Sequence, residues 1–310
     1  MNMQDPRKAY GETLVELGCE DERIVVLEAD LGKSTMSCMF QEKFPERYFE
    51  MGISEQNMTS FAAGLAAAGK IAFTNSFAVF AAGRSYDQIR QGICTANLNV
   101  KINGSSSGLS DFGDGATHQA VEDIAIMRAI PNMTVLVPMD SVETKKIVRA
   151  AVKHNGPVYI RICRNPMEIL YPADREFVIG QPYVVREGED IVVFSCGIMV
   201  SKALAAARQL EKDGISVRVV NVSSLKPINE DVIKELAKGA KGIVTAEEHS
   251  VIGGLTSAIT YILRGAGIPL EPVAIMDAFG QSGQNYDELL MHYGLTESNI
   301  IETVKKMLKR

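Results

Sequence analysis

The run Gly52-Ile53-Ser54-Glu55-Gln56-Asn57-Met58 sets an acid at the start of a predicted helix whose body, Phe61 to Ala68, is rich in alanine and glycine. A glutamate in a first turn is favoured by the helix dipole, which by itself explains Glu55. Further on, Thr74-Asn75-Ser76-Phe77-Ala78-Val79-Phe80 supplies two aromatic rings just past a predicted strand. Rings at i and i+3 suit a core as well as a stacking platform. A third segment, Gly113-Asp114-Gly115-Ala116-Thr117-His118-Gln119, is a glycine-rich loop ending in one of four histidines. A loop histidine beside an aspartate suits proton transfer or hydroxyl recognition, and a plain turn explains the glycines equally well.

These segments need a scaffold, and the pattern around them is one of short β-branched runs alternating with helical periodicity. That alternation predicts an α/β fold with parallel sheets. Strands are expected at Arg23–Leu27, Ile71–Thr74, Val100–Asn103, Thr134–Val137 and Val158–Ile162. Between Val178 and Asp190, Gly180, Pro182, Gly188 and mixed charges mark a linker, dividing residues 1–178 from a second, shorter α/β domain at 186–310. Its strands are expected at Ile191–Ser195, Val217–Val220, Gly242–Ala246 and Val273–Ile275. One of its helices is legible in detail: Asn229 as N-cap after Pro227, a face of Val232, Ile233, Leu236 and Ala237, and Gly239 past the end. Ligands of such sheets sit beyond the carboxyl ends of the strands, so chemistry is expected in the loops that follow them.

Composition narrows the function. At 310 residues, 46% hydrophobic and 23% charged, the chain is of ordinary globular type. A net charge of -6 without a basic stripe gives no footprint for nucleic acid or membrane. The polar start, Met1 to Tyr10, and the lack of any run of roughly 18 apolar residues lead us to expect a cytoplasmic protein. Five scattered cysteines without C-x-x-C spacing fit reduced thiols, with Cys163 and Cys196 in buried strands. No G-x-G-x-x-G follows a strand, which disfavours a Rossmann dehydrogenase.

Taken in order, the segments resemble the transketolase family from about Arg7 to the C-terminus. The resemblance is carried by Ala29-Asp30-Leu31 with Ser34, the Ser-Glu-Gln-Asn-Met run around Glu55, the Phe77/Phe80 pair, Asp114 to Gln119, and Arg164-Asn165. It implies thiamine diphosphate as cofactor, with Asp30, Leu31, Glu55, Phe77 and Phe80 around its pyrimidine. Glu55 would protonate a ring nitrogen, shifting the ring's amino group toward the imino form that removes the thiazolium proton. Asp114 and His118 match residues near the sugar hydroxyls, with His118 able to relay protons. Arg7, Ser34 and Arg164 match positions that hold a sugar phosphate. A histidine that joins this cluster in the family is missing from Val100–Ser107, where Ser105 is the nearest match, and one extra residue precedes Asp114.

The resemblance also implies an absent half. The family binds the diphosphate through a divalent metal on an N-terminal domain, using a Gly-Asp-Gly motif and an asparagine about 30 residues later. Gly113-Asp114-Gly115 sits instead in the sugar-side setting, and residues 140–146 contain no asparagine. The expected function is therefore the C-terminal subunit of a split transketolase, with no metal ligand of its own. A partner chain would supply the Mg2+ site, in an α2β2 complex. A deoxyxylulose-phosphate-synthase-like enzyme, a 2-oxoacid dehydrogenase beta-type subunit and a non-catalytic regulatory subunit are the alternatives; the Asp114–Gln119 loop favours sugar chemistry over the dehydrogenase. His249 and the loop Phe279 to Gly283 are read as structural or interface features.

Overall fold

Apolar β-branched runs are buried on both faces only in a sheet covered by helices on each side, and the chain folds this way twice. The computed structural model describes residues 2–309. Its strands are β1 (Met3–Gln4), β2 (Ile24–Glu28), β3 (Tyr48–Glu50), β4 (Ile71–Phe77), β5 (Val100–Ser105), β6 (Thr134–Leu136), β7 (Val158–Arg161), β8 (Met167–Glu168), β9 (Tyr183–Arg186), β10 (Ile191–Ser195), β11 (Val217–Asn221), β12 (Ser224–Lys226), β13 (Gly242–Ser250) and β14 (Leu270–Ile275). All nine strands expected from sequence are present, with β4, β5 and β13 running three, two and four residues further than their apolar cores.

The first sheet has the order β12-β6-β7-β5-β4-β2-β3. It is parallel from β6 to β3, and β12 pairs antiparallel with β6. The second has the order β14-β13-β10-β11-β9, parallel except for β9. A two-stranded ladder, β1 with β8, ties the start of the chain to the exit of the first domain. β9 lies inside the stretch expected as a linker, and β12 extends the first sheet although its sequence neighbours belong to the second.

Between the domains lies a buried polar network. Arg161 on β7, 4% exposed, sends Nε to both oxygens of Asp123 at 3.1 and 2.9 Å and Nη2 to the Ala120 and Glu248 carbonyls at 3.1 and 3.0 Å. The Glu248 carboxylate accepts the Leu109 N–H and the Tyr286 hydroxyl, each at 2.8 Å. Burial pushes the Glu248 carboxyl up to about 7, against the pull of Arg161. His249 is fully buried and its Nε2 accepts the Ala125 N–H, while the loop from Phe279 to Gly283 holds the first domain through Gln281 and Gly283. In the second domain Asn229 caps the helix Glu230–Ala237 by accepting the Val232 N–H, and Ile233 and Ala237 are buried.

Candidate functional site

Strand order reverses at β2. The chain leaves β2 for β3 on one side and then crosses to β4 and β5 on the other. At such a switch point the loops after neighbouring strands diverge and open a crevice at the carboxyl ends. A cavity of about 470 Å³ lies there. The loop after β2 contributes Ala29, Asp30 and Leu31, the segment after β3 Ile53 and Glu55, the turn after β4 Phe80 and Arg84, and the loop after β5 Thr117 and His118.

Glu55 opens the helix Glu55–Ala67 and is 2% exposed. Both its oxygens accept from Nη1 of Arg84, at 2.9 and 2.8 Å. The Arg84 guanidinium carbon stands 4.6 Å from the centre of the Phe80 ring, so one arginine spans the aromatic face and the carboxylate. Residues Val79–Arg84 coil as a π-helix, whose wider turn sets where Phe80 and Arg84 project. Phe77 and Phe80 lie nearly parallel, 17° between planes and 6.2 Å between centres, and His118 meets Phe80 edge-on at 5.2 Å. Phe77 is 5% exposed, behind Phe80 and paired in register with Ser105. Thr117 Oγ1 is 2.9 Å from His118 Nδ1.

The loop after β2 is fixed from below. Glu28, the last residue of an otherwise apolar strand, is buried and accepts the Ala29 N–H at 3.0 Å and the hydroxyls of Thr35 at 2.7 Å and Ser37 at 2.5 Å. Burial pushes its carboxyl up to about 7, an effect the two hydroxyls moderate. Asp30 adopts φ 61°, a left-handed conformation that aspartate tolerates better than most residues.

The remaining residues singled out from sequence stand outside the cavity lining. Arg7 is held by Asp5 at 2.9 Å and donates to the Ser34 carbonyl at 3.1 Å, so the Arg7–Ser34 contact runs through the backbone of Ser34. Arg164 is paired with Asp111 at 2.9 Å, its guanidinium 5.9 Å from the centre of the Phe77 ring. Asp114 leads the short turn Gly115–Thr117. Burial raises the Asp111 carboxyl, which Arg164 opposes and Asp114 reinforces. Arg84, Asp111 and Glu28 were not singled out by sequence. The available signals were a cation four residues after Phe80, the extra residue before Asp114, and an acid closing the run Ile-Val-Val-Leu.

Two tandem parallel-sheet domains with a buried acid and stacked rings at the switch point of the first define a class, and comparison with known proteins identifies it. The model of the transketolase pyrimidine binding domain matches residues 2–168, and that of the transketolase C-terminal domain matches residues 180–300. The chain belongs to the transketolase family. Within that family it has the extent of a C-terminal section. It is 44% identical over 308 residues to a Methanocaldococcus jannaschii chain named as a transketolase C-terminal section, covering 98% of this chain and 96% of that one. It is 40% identical over 305 residues to the 6-deoxy-6-sulfo-D-fructose transketolase subunit of a Clostridium species, covering 98% and 94%. A solved structure described as a split gene transketolase, inactive β4 tetramer, superimposes with a TM-score of 0.89 at 47% identity, covering 98% of both chains.

Family membership implies dependence on thiamine diphosphate. The donor set present fits the aminopyrimidine end of that molecule: a buried carboxyl to meet a ring nitrogen and an aromatic face to stack on. Among the described residues no group of three or more His, Cys, Asp or Glu side chains is placed to hold a metal ion. No helix among the described residues is long and apolar enough to cross a membrane.

Proposed function

We propose that this chain is the ring-holding subunit of a two-chain transketolase that moves a two-carbon ketol unit from a ketose to an aldose acceptor. The observation that carries this reading is the convergence of Glu55, Phe80 and His118 on one cavity from the ends of three different strands. Bound thiamine diphosphate supplies a thiazolium carbon able to stabilise the carbanion that a broken carbon–carbon bond leaves behind. Glu55 would hold the pyrimidine nitrogen and supply its proton, for which Arg84, which now donates to both carboxylate oxygens, would release one. Phe80, backed by Phe77, stacks on the ring and keeps water from it. His118 takes and returns protons at the sugar carbonyl and hydroxyls, with Asp114 on the same loop reading a neighbouring hydroxyl. Asp30 and Leu31 line the same cavity and would stand beside the ring.

The diphosphate and its Mg2+ then fall to a separate N-terminal chain. Support comes from the solved neighbour, whose β4 tetramer is described as inactive, and from the full-length match to a split C-terminal section. An α2β2 assembly in the cytoplasm is the simplest closed form of this reading. The test is to combine this chain with a partner carrying Gly-Asp-Gly, thiamine diphosphate and magnesium, and follow sugar mixtures by mass spectrometry. Two-carbon transfer is expected only when both chains are present. A stable, cofactor-binding complex that transfers nothing from any ketose overturns the reading.

A further inference from the structure

Resting on that reading, we infer that the second domain sets the position of His118, with Gln119 as the positioning residue through which it acts. His118 rides on the long loop between β5 and the helix Asp123–Ala129. The loop is pinched at its base, where Gly108 and Ala120 exchange backbone hydrogen bonds at 3.0 and 3.1 Å, and Gly113 and Gly115 lie within it. A loop of this kind has too many backbone conformations to hold one ring against another unaided. The second domain removes that freedom at the start, the middle and the end of the loop. The Glu248 carboxylate accepts the Leu109 N–H at 2.8 Å, the Gly283 N–H donates to the Phe112 carbonyl at 2.9 Å, and Nε2 of Gln119 donates to the Gln281 carbonyl at 2.9 Å.

The last of these contacts is made by the immediate neighbour of His118. Gln119 is 3% exposed, and its Nε2 donates also to the Asp111 carbonyl at 3.2 Å, so one side chain ties both limbs of the loop to the second domain. Carbonyl oxygens only accept, which fixes the amide with its nitrogen toward them. Gly280 closes over the other end of the amide, where a methyl group on Gly280 would run into Oε1 of Gln119. Seated in this way, His118 stands edge-on to Phe80 at 5.2 Å and to Phe77 at 6.3 Å. Proton transfer needs such fixity, since a misplacement of about 1 Å can cost about 10²-fold in rate. Residues 279–283 thus act on the site without lining its cavity.

The test is proton NMR of the full chain, which reads the loop without any turnover. The four histidines, His118, His154, His249 and His292, give separate ring signals, and His118→Asn identifies the one of interest. The rings of Phe77 and Phe80 should displace the His118 signal from that of a free histidine. Gln119→Leu keeps the bulk of the side chain and removes the donor. Gly280→Ala, a change on a half-buried loop of the second domain, forces the Gln119 amide aside and serves if the first variant does not fold. In both, the His118 signal should lose its displacement, while His249, whose Nε2 accepts the Ala125 N–H across the domains, keeps its own position. In the reconstituted two-chain enzyme the same variants should lower kcat by about ten- to a hundredfold with KM changed only a few-fold. A wild-type His118 signal at the free-histidine position overturns the inference. So does a His118 signal that stays in place in the folded variants, or one that moves while kcat does not. Movement of His249 together with His118 overturns it in favour of a general tie between the domains. The expected displacements in a wild-type complex that transfers no ketol unit would count against the proposed reaction and leave the seating of His118 standing.

Discussion

Exchange of Glu55 for glutamine isolates proton donation from architecture. Glutamine keeps the size and one acceptor oxygen of the side chain, so the helix start and the Arg84 contact survive in outline. What is lost is a charge in the first turn, worth about 0.3–1 kcal/mol, and an ion pair to an arginine whose side chain is 46% exposed, worth at most about 1 kcal/mol after solvent screening. Together these move the thermal midpoint by only a few degrees in a chain of this size. On the proposed role of Glu55 the chemical step loses its acid, for which a fall of about 10²- to 10⁴-fold is the usual scale. The assay pairs thermal melting by circular dichroism with ketol transfer by the reconstituted two-chain enzyme. A large loss of rate with a near-native melt is expected. Rates within a few-fold of wild type would show that no proton passes through this carboxyl.

Three further outcomes follow from the geometry. Arg161→Leu leaves Asp123 charged and buried, and should destabilise the chain by about 3–5 kcal/mol in urea unfolding, whereas removing the surface arginine Arg149 should shift it by less than about 1 kcal/mol. Glu28, with its folded pKa raised to about 7, binds more proton folded than unfolded between pH 4.5 and 7, so its contribution falls as pH rises through that window. Stability of Glu28→Gln relative to wild type, read from urea midpoints, should therefore improve from pH 5 to pH 8, and a constant difference would count against the buried acid. Calorimetry with thiamine diphosphate should show tightening by Mg2+ for the two-chain complex and none for this chain alone.

The central strands of both sheets were legible because burial on two faces favours short runs rich in apolar and β-branched residues, as in Ile24–Leu27 of β2 and Ile191–Phe194 of β10. The edges were not. β3, β9 and β12 have three or four residues each, too few to show a period, and their existence depends on partners distant in sequence. β12 is the clearest case: Ser224 and Lys226 pair with Leu136 and Val135 of the other domain, a choice that no local pattern encodes. The stretch from Val178 to Asp190 has the composition of a connector, yet Tyr183–Arg186 finds an open edge at β11 and becomes a strand.

The same distinction explains the site. Glu55, Phe80 and His118 announce themselves as local motifs, and the switch point at β2 gathers them because each follows a strand. Arg84 carries no motif, and its meaning arises from a carboxylate 29 residues earlier and from π-helical coiling that turns it toward the Phe80 face. Arg7 and Arg164, read alone, are free cations suited to an anion. Their pairing with Asp5 and Asp111 is a property of side-chain geometry that no local motif encodes. Motifs therefore mark the candidate site, while the charge carried by the arginines around it depends on which acids the fold brings to them.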